Sequence, residues 1–166
     1  DSVASRGLGD VYKRQVQQGK PATFAGATES IRHILGDNGV TTVGLTMFDA
    51  SGLSLKNRVS SHTLVDVLRL SATQDQNRAI LDDLPVSGGS GTLSNRFYDG
   101  SLARGWVRAK TGTLSSASSL AGIVVTRDGR VLVFAFIING EEPSAARPVL
   151  DALATSLQAC GCQPAH

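Results

Sequence analysis

Aromatic side chains are scarce: one Trp, two Tyr and five Phe make up 5% of the chain, so its core must be mostly aliphatic. Cysteine is nearly absent, with only Cys160 and Cys162 near the C-terminus. The three histidines, His33, His62 and His166, are scattered. That leaves no Cys2His2 arrangement and no metal-ligand spacing, and no metal or other cofactor is expected. The cysteine pair is compatible with a short-loop disulfide or with two free thiols. An excess of one charge is missing too, since 16 basic and 14 acidic residues give a net +2. This balance argues against a nucleic-acid partner or a polybasic membrane surface. The longest apolar run, Val131–Ile138, has eight residues, against the ~18 of a spanning helix. No transmembrane segment is expected, and no secretory leader is visible.

What remains is a chain of 166 residues, 41% hydrophobic and 18% charged, about one globular domain. Its first residues are unusual. The run Ser5-Arg6-Gly7-Leu8-Gly9-Asp10-Val11-Tyr12-Lys13-Arg14-Gln15 reads as the in-frame translation of a sequencing-library transposon adaptor. Residues 1–15 are therefore expected to be an assembly scar, 16–162 the native domain sequence and 163–166 a tail. Setting the scar aside hardly alters the charge balance.

Ala27, Ile31, Ile34 and Leu35 recur at a helical period, and Gly36-Asp37-Asn38-Gly39 ends that helix with turn chemistry. Val43–Phe48 is β-prone, and Ser61–Leu70 reads as a second helix. A short helix is expected over Asn77–Leu84, stopped by Pro85. Ser87–Gly91 reads as a flexible loop, and Thr92–Phe97 as one more short helix. Trp106–Thr113, Ser119–Thr126 and Arg130–Ile138 are strand-like. Asp128-Gly129 marks a hairpin between the last two. The third run is almost continuously apolar, as in a central strand covered on both faces. Ser144–Cys160 closes the chain as a helix, with Pro148 in its first turn and a stripe of Val149, Leu150, Leu153 and Leu157. Helices, then antiparallel strands, then a helix on the sheet make an α+β pattern.

The sharpest motif is Lys110-Thr111-Gly112-Thr113, closing the first strand of the antiparallel run. Alone it is weak, and a solvated strand end with a surface lysine would explain it. Two further segments accompany it. One is Asp49-Ala50-Ser51-Gly52-Leu53-Ser54-Leu55-Lys56-Asn57-Arg58-Val59-Ser60. The other is Leu84-Pro85-Val86-Ser87-Gly88-Gly89-Ser90-Gly91-Thr92-Leu93. Together with Val107–Leu114 and Leu120-Ala121-Gly122, they resemble, in order and spacing, the serine-type D-alanyl-D-alanine carboxypeptidase/endopeptidases. These are the class C low-molecular-mass penicillin-binding proteins. The likeness covers almost all of 16–162, and Ala50 stands where that family usually has Gly.

The resemblance implies the C-terminal portion of a β-lactamase/transpeptidase-like domain, an antiparallel sheet flanked by helices. It implies acyl transfer on peptidoglycan stem peptides, acylation by β-lactams, and a place outside the cytoplasm, in periplasm or cell wall. Its third motif assigns catalytic roles to Lys110 and Thr113 and substrate binding to Lys110, Thr111, Gly112 and Thr113. The chemistry fits. The Lys110 ammonium suits a carboxylate, and so do the Thr111 and Thr113 hydroxyls. Gly112 lets an extended ligand lie against the strand. The Thr113 N–H suits a developing oxyanion.

That family also needs Ser-x-x-Lys and Ser-x-Asn. The residues three before Lys13, Lys20, Lys56 and Lys110 are Asp10, Gln17, Leu53 and Val107. Those two before Asn38, Asn57, Asn77, Asn95 and Asn139 are Gly36, Leu55, Asp75, Leu93 and Ile137. No serine stands among them. The chain is therefore expected to be a C-terminal piece, inactive alone and prone to expose a sheet edge. A piece of a β-lactamase or esterase of the same fold, or a non-catalytic binding module, would share these features. Ser51 and Ser54 read as turn-forming, Ser87 and Ser90 as loop residues without a base. His62 reads as a surface or capping residue and Trp106 as sheet packing.

Overall fold

The computed structural model describes residue 19 and residues 23–160. The adaptor-like run, Cys162 and the tail lie outside them. The chain forms two compact units, 1–63 and 64–166.

In the first unit, helix α1 (Phe24–Asp37) opens on Thr23, whose Oγ1 accepts from the Gly26 amide at 3.1 Å. It closes where expected. The Asn38 side chain donates to the Ile34 carbonyl at 2.8 Å, Gly39 turns to φ +74°, and the Val40 amide reaches back to Leu35. The β-prone run 43–48 does not become a strand. Gly44 takes φ +75° and breaks the extension, leaving one antiparallel bridge between Thr46 and Arg58. Helix α2 (Ser61–Thr73) starts in this unit, capped by Ser60 Oγ, which accepts from the Thr63 amide at 3.0 Å.

The second unit continues α2 three residues beyond the expected end. The expected helix over 77–84 splits into a 3-10 turn, Asp75–Asn77, and the one-turn α3, Ala79–Asp82. At 92–97 only a 3-10 turn, Gly91–Leu93, is found. The sheet follows: β1 (Val107–Leu114), β2 (Ala117–Val125) and β3 (Val131–Asn139), antiparallel in the order β1-β2-β3. Gly129 takes φ +80° in the β2–β3 turn, as the Asp-Gly signal implies. The Thr126 hydroxyl donates to the Asp128 carboxylate there and, with Arg130 beside it, holds that carboxyl below its ordinary value, against a smaller opposing effect of burial.

The strand covered on both sides of its ladder is β2, not β3. In the sheet described, β3 is an edge strand, mostly half-buried, and only Phe134 in it is buried. A continuous apolar run reports burial, and burial does not fix position in the sheet.

Register divides the sheet into two faces. Val107 and Ala109 share one face with Leu120, Val124 and Phe134. These residues form the core with Leu150 and Ala154 of helix α4 (Pro143–Ala159). Arg108, Lys110 and Gly112 are on the opposite face. Two details of α4 differ from expectation. It begins with Pro143 at its first position, which leaves Pro148 inside the helix. Its buried stripe is Ala146, Leu150, Ala154 and Gln158, while Val149 and Leu153 are 50% and 40% exposed. Small side chains let the helix settle on the sheet, so alanines displace the larger residues from the contact.

The turn after Leu93 is tied to α4 by a bidentate ion pair. Arg96 reaches the two Asp151 oxygens at 2.7 and 3.2 Å, both side chains being largely buried. The next residue, Phe97, is buried with φ +59°, a strained conformation for a large side chain. Trp106, expected to pack the sheet, is 52% exposed. Cys160 is disulfide-bonded. Among the described residues no helix is long and apolar enough to cross a membrane.

Candidate active site

The Lys110–Thr113 tetrapeptide occupies the far half of β1, and the near half fixes its orientation. The Ala109 amide donates to the Pro85 carbonyl and the Ser87 amide to the Val107 carbonyl, each at 2.9 Å. The polar groups of Val107 and Ala109 therefore face the 84–93 loop, while the Trp106 carbonyl accepts from Val125 on the β2 side. Backbone polar groups of an antiparallel strand alternate in direction. By that alternation the N–H and C=O groups of Thr111 and Thr113 point to the strand's outer edge. Lys110 Nζ donates to the Thr111 carbonyl at 2.9 Å, which brings the ammonium round to the same edge. The lysine is exposed and has no carboxylate partner among the described residues. An edge with an unpaired cation and a free N–H beyond it can receive an anion.

Thr111 and Thr113 lie on the α4 side of the sheet, Lys110 and Gly112 on the other. The four residues thus meet along the edge rather than on one face. At Gly112 an added Cβ would come 2.4 Å from Ser119 Oγ, the rotatable end of a side chain. At Gly122, opposite Ala109, it would lie 2.0 Å from the Arg108 carbonyl oxygen. Gly122 is therefore what lets β1 and β2 approach at this rung.

The segment expected to be a flexible loop is clamped. Ser87 is 1% exposed. Its Oγ donates to the Ala103 carbonyl at 2.6 Å and accepts from the amides of Gly105 and Val107 at 3.0 and 3.2 Å. A buried serine with all its valences used is a structural hub, which explains why it has no base partner. Ser90 Oγ accepts from the Val86 amide at 3.0 Å. At the loop's end Thr92 Oγ1 accepts from Thr111 Oγ1 at 3.0 Å. The sequence alone does not single out Thr92. Its only signal is its place in the Leu84–Leu93 segment that resembles the family.

The 49–60 segment, taken within its own unit, is organised by Asp49. Oδ1 accepts from Ser51 Oγ at 2.9 Å and the Gly52 amide at 2.7 Å, and Oδ2 from the Ser54 amide at 2.7 Å. Asn57 spans the loop, its Oδ1 accepting from the Phe48 amide at 2.7 Å. Burial acts to raise the Asp49 pKa, but the bonds from Ser51, Ser54, Gly52 and Asn57 prevail and hold it below its ordinary value. Ser51 and Ser54 are turn-formers here, as their glycine context implied. His62 is an exposed residue in the first turn of α2.

The chain is similar to known proteins along most of its length. A profile of the D-Ala-D-Ala carboxypeptidase 3 (S13) family matches residues 9–160. The carboxypeptidase DacB of Mycolicibacterium smegmatis is 47% identical over 149 residues, 87% of this chain and 32% of that protein. A D-alanyl-D-alanine carboxypeptidase from an Actinomadura species is 38% identical over 140 residues, 81% of this chain and 26% of that protein. The crystal structure of penicillin binding protein 4 from Haemophilus influenzae, complexed with a β-lactam, superposes with a TM-score of 0.74 at 28% identity. It covers 84% of this chain and 35% of that one. The chain spans a quarter to about a third of the length of these relatives.

Proposed function

This chain belongs to the D-Ala-D-Ala carboxypeptidase 3 family, and from that premise we propose that it forms one wall of a cleft that hydrolyses the D-alanyl-D-alanine bond of peptidoglycan stem peptides. The wall grips the terminal carboxylate. Lys110 Nζ pairs with it, and the hydroxyls of Thr111 and Thr113 donate to it. The extended peptide lies along β1 past Gly112, as an added strand would. The outward N–H of Thr113 donates to the oxyanion when a serine attacks the scissile carbonyl. In the complete enzyme that serine forms an acyl-enzyme, the terminal D-alanine leaves, and water releases the peptide. A β-lactam is taken as a stem-peptide mimic and acylates the same serine. The reaction belongs outside the cytoplasm, where peptidoglycan is.

One observation carries this reading. The Lys110 ammonium is turned onto the outer edge of β1, where the alternation also directs the Thr113 N–H.

The sequence holds neither Ser-x-x-Lys nor Ser-x-Asn. The 166-residue chain alone is therefore expected to leave acyl-D-Ala-D-Ala peptides intact and to take no covalent label from a fluorescent penicillin. Stable labelling on a denaturing gel would refute that part. The coding sequence upstream of Val16 tests the rest. An intact Ser-x-x-Lys there, with D-alanine release rather than penicillin turnover by the whole product, is the expected result.

A further inference from the structure

Two consecutive aromatic residues part company just before the sheet. Phe97 is 1% exposed and Tyr98 77%. The backbone arranges this at a cost, since Phe97 holds φ +59°, and strain of that kind persists only where the surroundings enforce it. Arg96 enforces it on one side through its pair with Asp151. On the other, the Ser101 amide donates to the Tyr98 carbonyl at 2.9 Å and Arg104 Nη1 to the Phe97 carbonyl at 3.4 Å. The result is a tyrosine ring held out beside α4. The chemistry of the β1 edge makes no use of it.

Between that turn and α4 runs an open groove of about 420 Å³, within the size of small-molecule sites. Its walls are Phe97, Tyr98, Pro148 and Ala152, with polar atoms from Ser101, Asp151 and Thr155. Those polar atoms have spent their protons. Thr155 Oγ1 donates to the Asp151 carbonyl at 2.8 Å. Ser101 Oγ, 3.3 Å from it, is therefore the donor to Thr155. The Asp151 carboxylate is neutralised by Arg96, with a bond to each oxygen. What stays open on these oxygens is acceptor capacity, with no net charge to draw an ion. A ligand that fits is neutral, rich in donors and apolar on one flat side. A pyranose meets all three conditions: its hydroxyls donate, and its C–H face can lie on a tyrosine ring.

We propose that this groove is a second ligand site, apart from the Lys110–Thr113 edge, and that it takes a sugar ring of the glycan strand that carries the stem peptides. The assignment to that strand rests on the peptidoglycan reading given above. The substrate then has two holds on this unit, its acid end at β1 and its sugar beside α4.

The test is an NMR titration of the 166-residue chain with N,N′-diacetylchitobiose, a neutral disaccharide without a peptide, into the millimolar range. Shifts are expected at the amides of 97–101 and 149–156, and none at 110–113. Tyr98→Ala should weaken binding roughly fivefold, while Tyr98→Phe, which keeps the ring, should stay within about twofold. Ser101→Ala removes one acceptor and should weaken binding about threefold. Tyr98 is exposed, so its variants should melt with the wild type. Cyclohexanol is the control for a merely greasy groove. Equal affinity for it, no effect of Tyr98→Ala, shifts centred on 110–113, or no shifts at all would each overturn the sugar site.

Lys110→Ala keeps this proposal apart from the reading it rests on. It should leave the disaccharide titration unchanged and abolish that of N-acetyl-D-alanyl-D-alanine. If the dipeptide ignores Lys110 while the disaccharide still needs Tyr98, the edge reading falls and the groove stands as a sugar site. If the dipeptide needs Lys110 while the disaccharide ignores Tyr98, the groove falls alone.

Discussion

The 84–93 and 49–60 loops are both built on glycine and serine, yet they are fixed in opposite ways. The first is tied from inside, by a buried serine hydroxyl that joins three backbone groups of 103–107. The second is tied from outside, by a half-buried carboxylate that gathers the amides and hydroxyl of its own turn. An inside tie depends on the neighbouring strand and should fail with it. An outside tie is local and should answer to pH instead. Turn composition alone does not distinguish them, because Gly and Ser serve both.

The strongest way to break the first loop is through the strand it leans on. Gly122→Ala puts a methyl group 2.0 Å from the Arg108 carbonyl oxygen and 2.6 Å from Ala109 Cα, both backbone atoms. No rotamer relieves that contact, so β1 must move from β2 at the rung where Ala109 holds Pro85. The expected loss is about 3 kcal/mol or more, at the upper end of overpacking. Urea denaturation of the variant measures it, and a loss below ~1 kcal/mol would show that the rung is looser than described.

Ser87→Ala attacks the tie itself. The Gly105 amide and the Ala103 carbonyl keep second partners, Ser87 O and the Trp106 amide. The Val107 amide loses the partner that Ser87 Oγ gave it. One buried donor left unpaired predicts a loss of about 2 kcal/mol, again read in urea. Ser90→Ala, which frees only the more exposed Val86 amide, is the control and should cost less than half as much. Equal losses would mean that Ser87 is no hub.

The strands were legible in the sequence because their signals are local. Alternation and the Asp128-Gly129 turn place all three within about two residues. Position within the sheet was not legible, since the apolar run of β3 is equally at home at an edge that is half-covered. The α4 stripe was missed because Ala146 and Ala154 look neutral, and close packing on a sheet is what small residues permit. The Lys110 motif was found because its residues are contiguous. Thr92 was missed because its partner is 19 residues away, and nothing periodic links two threonines at that distance. The clamp at Ser87 is not legible, because a buried serine in a glycine-rich loop has the same sequence context as an exposed one.

The smallest expected effect concerns the outside tie. Asp49 accepts its bonds as a carboxylate, and they hold its pKa below the ordinary value. A group depressed on folding contributes order that is fully present above its unfolded pKa and is lost as pH falls through the folded one. Protection of the Gly52 and Ser54 amides against hydrogen exchange should therefore be constant from neutral pH down to the ordinary carboxylate range. Below it, protection should fall. Asp49→Ala should leave those two amides unprotected at every pH, with no acid step, while the Val107 amide, whose partner is a serine hydroxyl, keeps its protection in that variant at neutral pH. If the acid step survived in Asp49→Ala, another group would hold the turn, and the contrast between a carboxylate-tied loop and a hydroxyl-tied one would be lost.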